Sequence, residues 1–220
     1  MFVGHYAAAF GARKLVGQVP LWFLFFAVQF ADYLWAVFIL LGIEGARVVP
    51  NFLPASHLDL YFIPYSHSVV ATVFWSTLLA LIYVVVARPS RRWAAAAIVA
   101  FAVTSHWVLD LVVHTQDLPL FYGDPKFGFG LWRYQVFSQL IEVGLLFLGL
   151  MIYMRATTPK GVLGQLTLVL LMVAMLVMQA IGQVPPAEDQ SIEAFARTAL
   201  LAYSGLVALA FLVDCTRRVR

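Results

Sequence analysis

His106, Asp110, His114 and Asp117 stand in the run Ser105-His-Trp-Val-Leu-Asp-Leu-Val-Val-His-Thr-Gln-Asp117, at steps of four, four and three residues. On a helix those steps set two imidazoles and two carboxylates on one stripe. The surrounding segment is apolar enough to lie in a membrane, where an ionisable side chain costs about 2.5–3.5 kcal/mol and marks a functional site by default. A stripe of this composition can hold a divalent metal ion.

Further groups of the same kind gather in the first half of the chain. All five histidines, His5, His57, His67, His106 and His114, precede residue 115. Asp32, Asp110 and Glu142 are acids inside apolar runs. At a rise of about 1.5 Å per residue, Asp32 lies about 18 Å and His106 about 21 Å above one end of its helix. His5, Asp32, His67, His106, Asp110 and His114 are therefore the expected metal ligands, assembled from several segments as in other helical bundles. Asp117 extends the stripe. Asp59 and Glu142 are the candidate catalytic carboxylates, and His57 reads as a loop histidine. Lys126 and Arg133, beside Trp132, are candidates for binding an anionic head group, or form an interfacial belt.

The single cysteine, Cys215, allows no intrachain disulfide and excludes a thiolate zinc site. Mixed His/carboxylate ligation suits Zn²⁺ first, with Mn²⁺ or Fe²⁺ as alternatives, and the number of donors suits one or two ions. The chemistry to expect is metal-assisted hydrolysis, since a bound ion brings the pKa of water toward ~7 and polarises a phosphoryl or acyl oxygen.

The elements that must position these groups are helices in a membrane. With 63% hydrophobic and 11% charged residues in 220, the chain reads as one all-α integral membrane domain. Apolar runs of about 20 residues predict six transmembrane helices, over 20–43, 64–87, 93–114, 134–155, 162–183 and 195–214. Residues 1–120 form the metal-site half and 121–220 a three-helix supporting half. The uncharged stretch from Phe2 to Gly11, followed by Arg13-Lys14, is too short to span and reads as a re-entrant half-helix, which must pack against protein or line a polar cavity. One set of helix ends carries ten lysines and arginines and the other four. That asymmetry places both termini in the cytoplasm and the loops around 44–63, 115–133 and 184–196 outside. The first residues lack a basic n-region, so no cleaved signal peptide is expected. A net charge of +3 gives no nucleic-acid surface. Homo-oligomerisation is left open by the chain.

Gly4-His5 near the start, an Asp in the first span, Tyr65-Ser66-His67-Ser68 opening the second and Ser105-His106-x3-Asp110 in the third together resemble the bacterial membrane-bound metal-dependent hydrolases. These are the YdjM-like inner-membrane proteins linked with LexA regulation, in turn similar to zinc-dependent phospholipase C. The resemblance covers about residues 1–120. It implies His5, Asp32, His67, His106 and Asp110 as metal positions, a bacterial inner-membrane location and a lipid or lipid-linked phosphoester as substrate. His114 and Asp117 look like a subgroup feature. Here the first-span acid stands alone, where that family often carries a pair.

Other readings compete. Intramembrane His/Asp chains also make proton or metal-ion pathways, but the cytoplasmic halves of the spans are almost wholly apolar. A b-type haem protein would use two histidines and leave Asp32 and Asp110 unexplained. A non-catalytic scaffold would use the cluster as structural glue.

Overall fold

A computed structural model describes residues 1–15 and 18–220. The chain is mostly helical. A 3₁₀ turn, Val3–His5, leads into α1 (Tyr6–Leu15), followed by α2 (Leu21–Val28) and α3 (Phe30–Leu40). A hairpin of β1 (Gly45–Leu53) and β2 (Ser56–Phe62) then precedes the short α4 (Pro64–His67), α5 (Val69–Ala87) and α6 (Arg92–Val113). Strands β3 (Leu118–Pro119) and β4 (Lys126–Phe127) and a 3₁₀ turn, Leu131–Arg133, lead to α7 (Gln135–Ala156). The remainder is β5 (Thr157–Pro159), α8 (Val162–Ile181), α9 (Ile192–Thr216) and β6 (Arg217–Val219), with β5 and β6 paired antiparallel.

Five helices, α5 to α9, are long and apolar enough to cross a membrane, and α2 with α3 makes a sixth when the bent pair counts as one span. Val73, Phe74, Val86, Leu140, Val169 and Leu201 lie exposed on these helices, as side chains facing lipid do. Helix α5 packs on α6, α1 on α7, and α2 and α8 on α9. Two apolar cores result. One, at the end rich in arginine and lysine, holds Tyr6, Phe10, Phe25, Leu146 and Tyr153. The other, at the opposite end, holds Trp35, Ile39, Leu60, Ile63, Val113 and Trp132.

Three features depart from the all-helical expectation. Residues 45–62 form an antiparallel hairpin where a loop was expected. The alternation His57-Leu-Asp-Leu-Tyr-Phe62 has the two-residue period of a half-buried strand, a signal masked by the prolines at 50 and 54. The first expected span is bent by 53° between α2 and α3. Neither proline nor glycine stands at the bend. The carbonyl of Val28, the last residue of α2, accepts a side-chain hydrogen bond from His106 Nδ1 at 2.7 Å, and a foreign donor at a helix end is a recognised cause of a kink. Helix α6 stops at Val113, so His114 is its extended C-cap and Asp117 lies beyond it. The stripe read at four positions is thus helical only over His106 and Asp110.

The loop after α6 folds back over that helix end. Phe129 N donates to Leu111 O at 2.8 Å and Gly130 N to His114 O at 2.6 Å, satisfying carbonyls that the helix leaves open. Gly128, at φ +153°, permits this approach, because a Cβ there would lie 1.6 Å from Thr115 O.

Candidate metal centre

The six expected ligands, drawn from four segments, meet between the two apolar cores. His5 ends the N-terminal 3₁₀ turn, Asp32 lies in the first turn of α3, and His67 closes α4. His106 and Asp110 stand one turn apart on α6, and His114 caps it. Asp110 is the hub. Its Oδ2 lies 2.9 Å from His106 Nε2 and 3.8 Å from His67 Nε2, and its Oδ1 lies 3.1 Å from His5 Nε2 and 3.7 Å from His114 Nε2. Asp32 Oδ1 lies 3.3 Å from His67 Nε2 and 3.6 Å from His106 Nε2. The Met1 ammonium also contacts Asp110 Oδ1, at 2.8 Å.

The tautomers follow from the other ring nitrogens. His106 Nδ1 donates to the Val28 carbonyl, which accepts only, so Nε2 is the nitrogen turned to the cluster and available to an ion. His114 Nδ1 meets Asp117 Oδ1 at 2.8 Å, a carboxylate–imidazole pair with the same consequence. His67 Nδ1 meets Ser66 Oγ at 2.7 Å, and that hydroxyl donates its one proton to Glu44 Oε2 at 2.6 Å. Ser66 must then accept from His67 Nδ1–H, again leaving Nε2 bare. Three imidazoles are fixed through Nδ1 with Nε2 turned toward two carboxylates, the arrangement by which outer hydrogen bonds orient metal ligands.

His5 completes the set. It is fully buried, it stacks on His106 with ring centroids 3.8 Å apart, and neither of its nitrogens makes a hydrogen bond of acceptable geometry. His106 Nε2 is in the same condition. A buried polar atom without a partner costs about 1–3 kcal/mol, a cost removed when the atom binds an ion. Donor atoms of His5, His106 and Asp110 lie within 4.8 Å of one another, and so do those of Asp32, His67 and His106. Ligand bonds of about 2.0–2.1 Å in a tetrahedron imply donor separations of about 3.3–3.4 Å, within the range found here. The residues fit a divalent cation, with His106 common to the two ligand groups.

Asp32 is held from its other side. Its Oδ2 accepts from Gln29 Nε2 and from Tyr203 Oη. Its side chain is 17% exposed, against 5% or less for the other five ligands, so approach to the cluster is most open beside Asp32.

The remaining candidates lie outside this cluster. Glu142, expected as a catalytic carboxylate, accepts from the backbone amides of Phe2 at 2.7 Å and Gly4 at 3.4 Å. It anchors the segment that carries His5, assisted by Gln179, which accepts from Val3 N. Asp59 stands on β2 opposite Arg47 and contacts no ligand of the cluster. His57 Nδ1 accepts from Asn51 N within the hairpin. Lys126 donates to the Tyr61 carbonyl, and Arg133 is exposed at the end of its 3₁₀ turn. Trp132, next to Arg133, lies against His114 at 4.2 Å between ring centroids, so this loop roofs the cluster.

Glu44 was missed by sequence reasoning. It is buried and accepts from Tyr65 N at 2.7 Å, Ser66 N at 2.8 Å and Ser66 Oγ. Burial pushes its carboxyl up from the ordinary value, while the Ser66 hydroxyl and the two amides favour the ionised form. A lone acid at the end of a span gave no periodic signal. The one available cue was its position ahead of a proline-started helix whose first amides need an acceptor.

Glu142→Gln is expected to leave the Asp32, His67 and His106 group intact and to loosen the N-terminal segment. Hydrogen exchange at the Phe2 and Gly4 amides checks this, and unchanged protection would contradict the anchoring role.

Comparisons of the chain with protein-family models, with curated proteins and with solved structures gave no match.

Proposed function

We propose that this protein is a membrane-embedded metal-dependent hydrolase acting on a lipid or lipid-linked phosphoester. The observation that carries the reading is the set of three imidazoles tied by Nδ1, with their Nε2 atoms converging on Asp32 and Asp110. Asp32, His67, His106 and Asp110 Oδ2 hold one ion, and His5, His114 and Asp110 Oδ1 a second. Zinc is the ion this donor set favours, with manganese or iron as alternatives. Such an ion supplies an activated water and polarises the phosphoryl oxygen. The protein's own part is to hold these ligands in a dry site and to leave an approach beside Asp32. The basic side chains Lys126 and Arg133 lie on the loop that roofs the cluster, suited to an anionic head group.

In this reading α2 and α3 form the first of six spans, the N-terminal segment is re-entrant, and both termini are cytoplasmic in a bacterial inner membrane. The cluster then faces the outer leaflet, where an amphiphilic substrate reaches it. The resemblance to the YdjM-like hydrolases supports the same assignment. Ion transport has less support: the core that holds Phe10, Leu24, Phe25 and Leu146 is apolar and buried. Haem binding leaves both aspartates without a role.

The test is turnover of phosphatidylglycerol, phosphatidic acid and a polyprenyl pyrophosphate by the detergent-solubilised protein loaded with zinc, manganese or iron. Release of a water-soluble phosphate or head group, lost in Asp32→Asn, is the expected result. No turnover of any probe by metal-loaded protein would count against hydrolysis and leave the metal centre standing.

A further inference from the structure

We infer that Glu44 is a positioning residue that sets the proton of His67 through Ser66. The inference deepens the metal-binding reading and rests on it.

The direction of the relay is fixed by counting protons. Two backbone amides, of Tyr65 and Ser66, donate to Glu44 Oε1. The Ser66 hydroxyl donates to Oε2. Three donors and no acceptor face the carboxylate, so Ser66 has no proton left for His67 and takes one from Nδ1–H. The Nε2 lone pair toward Asp32 Oδ1 is therefore decided 23 residues upstream of His67, at a residue that does not touch the cluster. The motif Tyr65-Ser66-His67-Ser68 is accounted for in full. The first two amides are capped by Glu44, the Ser66 hydroxyl relays, His67 offers Nε2, and Ser68 caps α5 by accepting from Ala71 N.

Glu44→Gln separates this role from helix capping. Glutamine keeps a carbonyl oxygen for the two amides, so the start of α4 remains satisfied. Its NH₂ then faces Ser66 and must donate to that hydroxyl. Ser66 turns its proton to His67 Nδ1, and the His67 proton moves to Nε2, where it blocks ligation. Ser66→Ala removes the relay without forcing the wrong tautomer.

The experiment is zinc affinity of the full-length detergent-solubilised protein by competition with a chromophoric chelator. Glu44→Gln is expected to weaken one ion by about 10–100-fold, the usual effect of an altered outer partner. Ser66→Ala is expected to lose less than Glu44→Gln. The double variant is expected to return to the Ser66→Ala value, a non-additivity that reports direct coupling. A capping role alone predicts no rescue in the double variant. Equal affinities for Glu44→Gln and wild type, or no rescue, would overturn the relay while leaving the metal centre in place. Absence of zinc binding by the wild type would overturn both. Should Glu44→Gln fail to fold, ¹⁵N NMR of His67 in the metal-free wild type decides: Nδ1–H with a bare Nε2 is expected, and the opposite tautomer overturns the proposal.

Discussion

Asp110→Ala is expected to strip the protein of metal altogether, the largest effect of any single ligand change. Among the described residues Asp110 is the one side chain within reach of four imidazoles: His106 and His67 on Oδ2, and His5 and His114 on Oδ1. Its removal takes away the carboxylate that the four imidazoles share, while Asp32 stays beside His67 and His106. By contrast, Asp117→Asn alters the outer hydrogen bonds with His114 Nδ1 and Thr115 Oγ1 and is expected to weaken binding by about 10–100-fold without abolishing it. His67→Ala and His5→Ala are expected to fall between, each emptying one group. Elemental analysis of the purified variants checks the order. Full metal content in Asp110→Ala would place the ion elsewhere.

The second large effect is structural and comes from Gly149. Helix α1 lies so close on α7 that a Cβ at Gly149 would stand 2.6 Å from Ala7 Cα and 2.8 Å from Ala7 O. Both neighbours are backbone, so no flexible side chain can yield. Small residues allow this kind of close helix approach in membranes. Gly149→Val is expected to push α1 off α7 at a cost of about 1–3 kcal/mol or more, and to carry His5 away from Asp110. The variant is expected to unfold at lower temperature in detergent and to lose the His5-side ion first. Gly144→Val, on the same helix with nothing within 4 Å of its Cβ position, is the matched control and is expected to behave as wild type. Equal unfolding temperatures for Gly149→Val and Gly144→Val would contradict the packing account.

The sequence made some of this architecture legible and hid the rest for physical reasons. The apolar runs announced the long helices, because length and hydropathy are properties of single segments. The six candidate ligands could be named because ionisable residues stand out against apolar neighbours, and the structure brings those six side chains together. Their mutual placement was harder to read. Asp117 fits the helical spacing of the stripe, yet α6 ends at Val113 and Asp117 reaches His114 from a turn. The bend at Gln29 has no proline or glycine to mark it, and the tertiary hydrogen bond that meets the Val28 carbonyl there comes from His106, distant in sequence. The hairpin over 45–62 was obscured by its prolines. Glu44 and the anchoring role of Glu142 were invisible for one reason: each acts through backbone amides distant in sequence, and amides leave no trace in residue types. The supporting half also takes a direct part, since Tyr203 on α9 donates to Asp32 and Glu142 on α7 fixes the His5 segment.

The account's central claim is that the His/Asp cluster holds a metal ion. The most direct test is the metal content of the protein purified in detergent without chelators, by inductively coupled plasma mass spectrometry, beside the His106→Ala/Asp110→Ala double variant. The account predicts one or two zinc, manganese or iron ions per chain in the wild type and none in the variant. Metal at background in the wild type, or equal content in both proteins, would contradict it.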